Sequence, residues 1–252
     1  QDEKQMRAVT MLLMKRSRRR RLVVLACVVL TLGIGRVVER VRTSDPLPAG
    51  GALTPARLDA AQMMADLREL ASDRFEGRAP DSPGGRLAAT FVAARFGALG
   101  LGAYGGGFEQ PFTFEHRSIR ALWRRDRPFV KAFREPRNVI AYVAGRSRPE
   151  EVIVVSAHFD HLGVRDQQVY PGADDNASGT AALLAIAAYT ARHQPERTIV
   201  FAAFDAEELG LRGSAAFLRA LPFRREQLRL DLNIDMIGRS DGGRLYITGT
   251  RH

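Results

Sequence analysis

The stretch Glu151–Gly163, EVIVVSAHFDHLG, joins a run of β-branched apolar residues to two histidines and an aspartate. An apolar run without polar alternation predicts a strand covered on both faces, as in the interior of a largely parallel sheet. The chain has only 5 histidines in 252 residues. His158 and His161, with Asp160 between them, stand at the carboxyl end of that strand, where open α/β sheets bind their ligands.

On either side of this stretch the same pattern repeats. NVIAYVAG from Asn138, RTIVFAAFD from Arg197, LRLDLNIDMIG from Leu228 and RLYITG from Arg244 read as further strands. ASGTAALLAIAAYTARH and GLRGSAAFLRAL read as helices between them. Upstream, Thr54 with Pro55 predicts the cap of a helix over ARLDAAQMMADLRELAS, with Met63 and Met64 on its apolar face. A second helix is predicted over GGRLAATFVAARFGALG, closed by Gly100. The following GAYGGG is a loop, since no strand precedes it and no Lys-Ser/Thr follows as a phosphate loop requires. Strands alternating with helices give a three-layer αβα arrangement of the α/β class around a mostly parallel mixed sheet.

Three of these strands end in metal-capable side chains: His158 and Asp160, then Glu207 and Glu208, then Asp235. A fourth group, Asp174 and Asp175 in GADDNASG, immediately precedes the alanine-rich helix. Taken singly, each has an ordinary reading as a helix cap, a solvated pair or a structural histidine. Together, at one edge of one sheet, they repel one another unless a cation lies between them. Carboxylate and imidazole donors without thiolates suit zinc, with cobalt or manganese as substitutes. In HFD the aspartate two positions on is placed to orient His158 by its second ring nitrogen. No role follows for His161 beyond lining the pocket. Ser178 lacks the G-x-S-x-G elbow of a serine hydrolase.

The formal charge of +10 is concentrated at the N-terminus, where residues 1–44 hold eleven Lys and Arg against three acids. A basic surface confined there, without a patch of interleaved basic and aromatic residues elsewhere, argues against nucleic-acid binding. From Met14 a charged segment precedes 14 uncharged, mostly apolar residues, Leu22 to Gly35, the length of a signal-peptide core or, extended, of a membrane anchor. This predicts a basic leader over 1–44, a linker rich in Pro and Gly over 45–55, and a catalytic domain over 56–252. The product would be exported, to the periplasm or beyond, or held at the membrane by its N-terminal segment. The single cysteine, Cys27, rules out an intrachain disulfide and any cysteine-rich zinc module.

In their order, SAHFDHLG, PGADDNASGTAALL, FAAFDAEELGLRGS and NIDMIGR resemble the dizinc aminopeptidases of metallopeptidase family 28. LASDRFEGRAPDSPGGRLAATFVAARFGALGL and FEQPF resemble the N-terminal part of bacterial members. The resemblance implies a zinc-exopeptidase fold and two zinc ions acting on a peptide substrate. By it His158 ligates one zinc, Asp174 bridges both, Glu208 ligates the other and Asp235 completes the first. It also implies a cis bond between Asp174 and Asp175, and Glu207 as the general base that takes a proton from a metal-bridged water. The family's fifth ligand is a histidine some tens of residues beyond Asp235. The only later histidine here is His252, so the second zinc site is expected to be incomplete in a chain truncated at its C-terminus. Alternatives are a carboxypeptidase or glutaminyl cyclase of the same fold, or an ectodomain that has lost catalysis.

Overall fold

Strand β5 (Arg148–His158), which contains the apolar run, lies between two parallel partners in the computed structural model. The structure describes residues 57–117 and 130–239, within a unit bounded by Pro55 and Leu245, and outside that unit positions 246 and 248. The leader, the linker, Cys27, Trp123, His252, the Thr54–Pro55 cap and most of RLYITG lie outside the described residues.

The elements in chain order are α1 (Ala60–Leu70), a 3-10 turn (Asp73–Arg78), α2 (Pro83–Ala98), β1 (Glu109–Pro111), β2 (Phe114–Arg117), β3 (Val130–Phe133), β4 (Arg137–Val143) and β5. There follow β6 (Gly163–Arg165), β7 (Gln168–Tyr170), a wide turn (Ala173–Ser178), α3 (Gly179–Arg192), β8 (Arg197–Phe204), α4 (Arg212–Arg219), a short 3-10 turn (Arg225–Gln227) and β9 (Leu228–Asn233). The main sheet runs β1-β4-β8-β5-β9. Its β8, β5 and β9 are parallel, whereas β4 and β1 join antiparallel, so the parallel part is the part that carries the candidate site.

The strands show the two-residue alternation expected of a sheet sandwiched between layers. Val139, Ala141, Val155, Ala157, Phe201 and Ala203 face one side and pack with Leu70 of α1, Val92 and Phe96 of α2, and Leu183 and Leu184 of α3. Ile140, Val152, Val154, Val200, Ala202 and Phe204 face the other side, against Phe217 of α4. The sheet is therefore covered on both faces, as its apolar strands require, and the chain is of the α/β class with three layers.

Two local expectations change. Helix α1 begins later than predicted, because Asp59 caps it by accepting a hydrogen bond from the Gln62 amide at 3.0 Å. Met64 is exposed and Met63 only half-buried; the helix instead buries Leu70 and Asp66, the latter paired with Arg95 at 3.0 Å. Helix α2 is capped by Ser82, whose hydroxyl accepts from the Gly85 amide at 3.0 Å. Its end is marked by Gly100 in a left-handed conformation (φ +67).

Candidate metal centre

His158 is the last residue of β5, and its parallel neighbours fix what surrounds it. The register pairs His158 with Phe204, so the chain leaving β8 delivers Glu207 and Glu208 beside it. Ser156 pairs with Asn233, so the chain leaving β9 brings Asp235 to the same edge. The ring is buried, and the His158 carbonyl accepts from the Thr180 hydroxyl at 2.8 Å, tying the strand end to the first turn of α3.

His158 Nε2 lies 3.3 Å from Asp175 Oδ1, 3.4 Å from Asp235 Oδ1 and 3.9 Å from Glu207 Oε2. A second imidazole stands on the far side of Asp175: His161 Nδ1 lies 3.9 Å from Asp175 Oδ2 and 2.7 Å from Glu208 Oε1. The ligand atoms thus fall into two groups, His158–Asp175–Asp235 and His161–Asp175–Glu208, each within 4.8 Å, with Asp175 common to both.

Asp160 is fully buried. Its carbonyl oxygen is 3.2 Å and its carboxylate 3.5 Å from His158 Nδ1, so the orientation foreseen from the HFD spacing engages both groups. The carboxylate has a further role that the spacing did not reveal. It accepts from the amides of Glu207 at 2.9 Å and Glu208 at 3.3 Å, and so holds the turn that presents both glutamates.

Two expectations are corrected. Asp174 does not reach either group: its Oδ1 accepts from the Gly238 amide at 2.9 Å, and the neighbouring Asp175 occupies the shared position. The cis bond is correspondingly Asp175–Asn176 rather than Asp174–Asp175. Adjacent aspartates are indistinguishable by composition; the path of the turn decides which one points to the strand ends. His161, three residues beyond His158, supplies the imidazole of the second group, a position that the resemblance assigned to a more distant histidine.

Asp235 depends on the turn as well. Asn176 donates to the Ile234 carbonyl at 2.9 Å and accepts from the Met236 amide at 3.3 Å. Ser178 accepts from the Ile237 amide at 3.1 Å, which gives that serine a structural task. Gly179 completes the junction, since a Cβ there would lie 2.4 Å from both Asn176 Oδ1 and the Ile234 carbonyl oxygen.

The electrostatics are those of a site built for positive charge. Burial alone would lower the His158 pKa, but Asp160, Asp235 and Glu207 outweigh it and raise it to about 9. Burial raises the carboxyls of Asp175 and Glu207, and neighbouring carboxylates raise them further against the opposing pull of the histidines. Glu208 is held below its ordinary value by the adjoining His161. Yet His161 Nδ1 and Glu208 Oε1, buried and 2.7 Å apart, have no hydrogen-bond partner of acceptable geometry. Two orphaned ligand atoms converging on one point fit a metal between them, and the oxygen and imidazole donors fit zinc.

Residues 138–252 match the family described as peptidase family M28. A probable zinc metalloprotease of Pyrenophora tritici-repentis (strain Pt-1C-BFP) is 39% identical over 111 residues, 42% of this chain and 23% of that protein. An aminopeptidase of Pseudomonas aeruginosa (strain UCBPP-PA14) is 36% identical over 121 residues, 48% of this chain and 22% of that protein. The chain thus spans about a quarter of the length of these curated relatives. Among solved structures, a leucine aminopeptidase precursor from Bacteroides thetaiotaomicron VPI-5482 is similar with a TM-score of 0.56 at 20% identity, covering 74% of this chain and 65% of that one. A Bacteroides thetaiotaomicron glutaminyl cyclase is similar with a TM-score of 0.56 at 20% identity, covering 73% of this chain and 64% of that one. At these identities the structures share the fold.

Proposed function

We propose that this chain, whose residues 138–252 match the family described as peptidase family M28, carries the metal-binding part of a zinc-dependent aminopeptidase that removes N-terminal residues from peptides. The observation that carries the reading is the pair of imidazole–carboxylate groups sharing Asp175. His158, Asp175 and Asp235 would hold one zinc, and His161, Asp175 and Glu208 the other.

Bound zinc supplies a Lewis acid that makes water acidic near neutral pH and polarises a carbonyl oxygen. The chain's own residues do the rest. Glu207 is half-exposed at the open side of the His158 group and carries a raised pKa, which suits a carboxylate that takes a proton and returns it to a leaving amine. Asp160 keeps that carboxylate aimed by holding the Glu207 amide. His158 is fixed by Asp160 on one ring nitrogen and directs the other to the site.

The cyclase of similar fold motivates a second reading, ring closure of an N-terminal glutamine without water. A shared carboxylate between two groups favours the two-metal hydrolase. Among the described residues no helix is long and apolar enough to cross a membrane. Export or anchoring by residues 1–44 is proposed from the charge and apolar pattern of that segment.

The test is zinc content by elemental analysis of the full chain, followed by assay with aminoacyl nitroanilides and with glutaminyl peptides. Two zincs per chain with nitroanilide hydrolysis support the reading. One zinc with cyclisation alone would replace it with the cyclase.

A further inference from the structure

Arg78 is fully buried, and its donors go to main-chain carbonyls from three parts of the chain. Nε donates to Phe159 at 2.7 Å, between His158 and Asp160. One terminal nitrogen donates to Leu70 and Pro171, each at 2.6 Å, and the other to Gly172 at 2.8 Å. The Arg78 carbonyl in turn accepts from the His161 amide at 3.2 Å. One residue therefore grips both segments of the second ligand group: the loop bearing His161 and the approach to the turn bearing Asp175.

We propose that Arg78 is a positioning residue of the metal centre, whose guanidinium sets the spacing between His161 and Asp175. The inference rests on the two-zinc reading and adds a residue from outside the segment 138–252 that matches the family. The planar fork of a guanidinium can span several carbonyls at fixed angles, which a lysine ammonium cannot. Its charge lies behind Asp160, Asp175 and Glu208, offsetting part of their mutual repulsion in the absence of metal.

The local backbone is shaped for this contact. Glu76, Gly77 and Arg78 all take left-handed conformations (φ 47, 66 and 53), which non-glycine residues hold only where their surroundings demand it. A Cβ on Gly77 would lie 2.4 Å from the Tyr170 carbonyl oxygen and 2.7 Å from that of Gly163, so this turn is wedged between the ends of the β6–β7 hairpin. Gly172 is as close to the site: a Cβ there would lie 2.5 Å from the His161 ring. A shift of the Pro171–Gly172 segment is thus passed directly to His161. The other two ligands of the first group are anchored elsewhere: His158 ends β5, and the segment around Asp235 bonds to Asn176 and Ser178. Loss of the Arg78 fork should therefore weaken the His161–Asp175–Glu208 position, where it governs two of the three ligands, far more than the His158 position.

The experiment is zinc titration of the full chain by equilibrium dialysis and elemental analysis, with wild type, Arg78→Lys and Arg78→Met compared. Cobalt substitution gives a visible absorption spectrum for each position, and far-UV circular dichroism reports the fold. The expected result for Arg78→Lys is native secondary structure, a first binding event changed by less than the second, and a second weakened by at least about tenfold, the scale of effect seen for residues that orient ligands. Wild-type-like binding of two metals by Arg78→Lys, against a two-zinc wild type, overturns this inference alone. Loss of the fold and of both positions together in both variants also overturns it, because Arg78 would then determine the fold rather than one metal position. A wild type that takes up fewer than two zincs overturns the functional reading along with it.

Discussion

His161 Nδ1 stands 2.7 Å from Glu208 Oε1, and neither buried atom makes a hydrogen bond. A pair so placed is costly without a cation, because each atom has left water without gaining a partner. His161→Ala is expected to reduce zinc binding from two per chain to one while the His158 group keeps its ion. Elemental analysis after dialysis reads this directly, and two retained zincs would exclude His161 as a ligand.

Adjacent aspartates should behave oppositely. Asp175→Asn removes a charge common to both groups and is expected to lose both zincs. Asp174→Asn keeps the oxygen that accepts from the Gly238 amide and is expected to retain both. Metal content of the two variants side by side checks the assignment, and the reverse order would restore Asp174 to the bridging role.

Glu207→Gln preserves size and removes the base. It is expected to lower kcat by roughly 10²–10⁴-fold, the range for loss of a positioned proton acceptor, with zinc content unchanged. Single-turnover and steady-state kinetics on a metal-loaded sample measure it; full activity would eliminate Glu207 as the base.

The charge state of His158 predicts a pH dependence. Its folded pKa is raised to about 9, above the unfolded value of 6.5, so the stability it contributes to the metal-free protein is complete below about pH 6.5. That contribution is lost as pH rises through about 9. Asp175 and Glu207, raised by burial, shift metal-free stability in the same direction at lower pH. Zinc needs the neutral ring, so its binding should release protons at pH 7 and tighten as pH rises toward 9. Thermal melts of metal-free protein across pH, with calorimetry in two buffers of different ionisation enthalpy, test both statements. A metal-free protein that grows more stable from pH 6.5 to 9 would contradict the assignment.

Gly179→Ala places a Cβ 2.4 Å from Asn176 Oδ1 and the Ile234 carbonyl. The contact that seats Asp235 must then open, so this variant should weaken the His158–Asp175–Asp235 position first. Cobalt spectra that show the other position lost instead would argue against this division of the site.

Much of the architecture was legible because it follows from periodicity. The apolar run ending at His158 could only be satisfied by cover on both faces, and the structure provides α1, α2 and α3 on one face and α4 on the other. Helix α1 was placed less well, because it is capped by Asp59 and begins at Ala60. Met63 and Met64 do not hold the core positions expected of them; Leu70 and Asp66 are the buried residues of that helix. At the site, strand ends brought His158, Glu208 and Asp235 together as the pattern implied, while Asp174 gave way to Asp175. Composition and spacing cannot separate two neighbouring carboxylates or assign a histidine on a loop, since their directions depend on backbone torsions set by distant contacts.

Residue types and their periodicity are enough to specify the α/β class, the edge of the sheet where polar chemistry gathers, and the donor types that suit zinc. These are local or periodic properties, carried by residue type and by position along a strand. It takes the folded chain to make Asp175 the shared carboxylate, to bring His161 into the second group, and to let Arg78 tie both loops together. Each of those depends on hydrogen bonds between segments far apart in the chain, such as Arg78 to Phe159 and Gly172, and no local pattern encodes them.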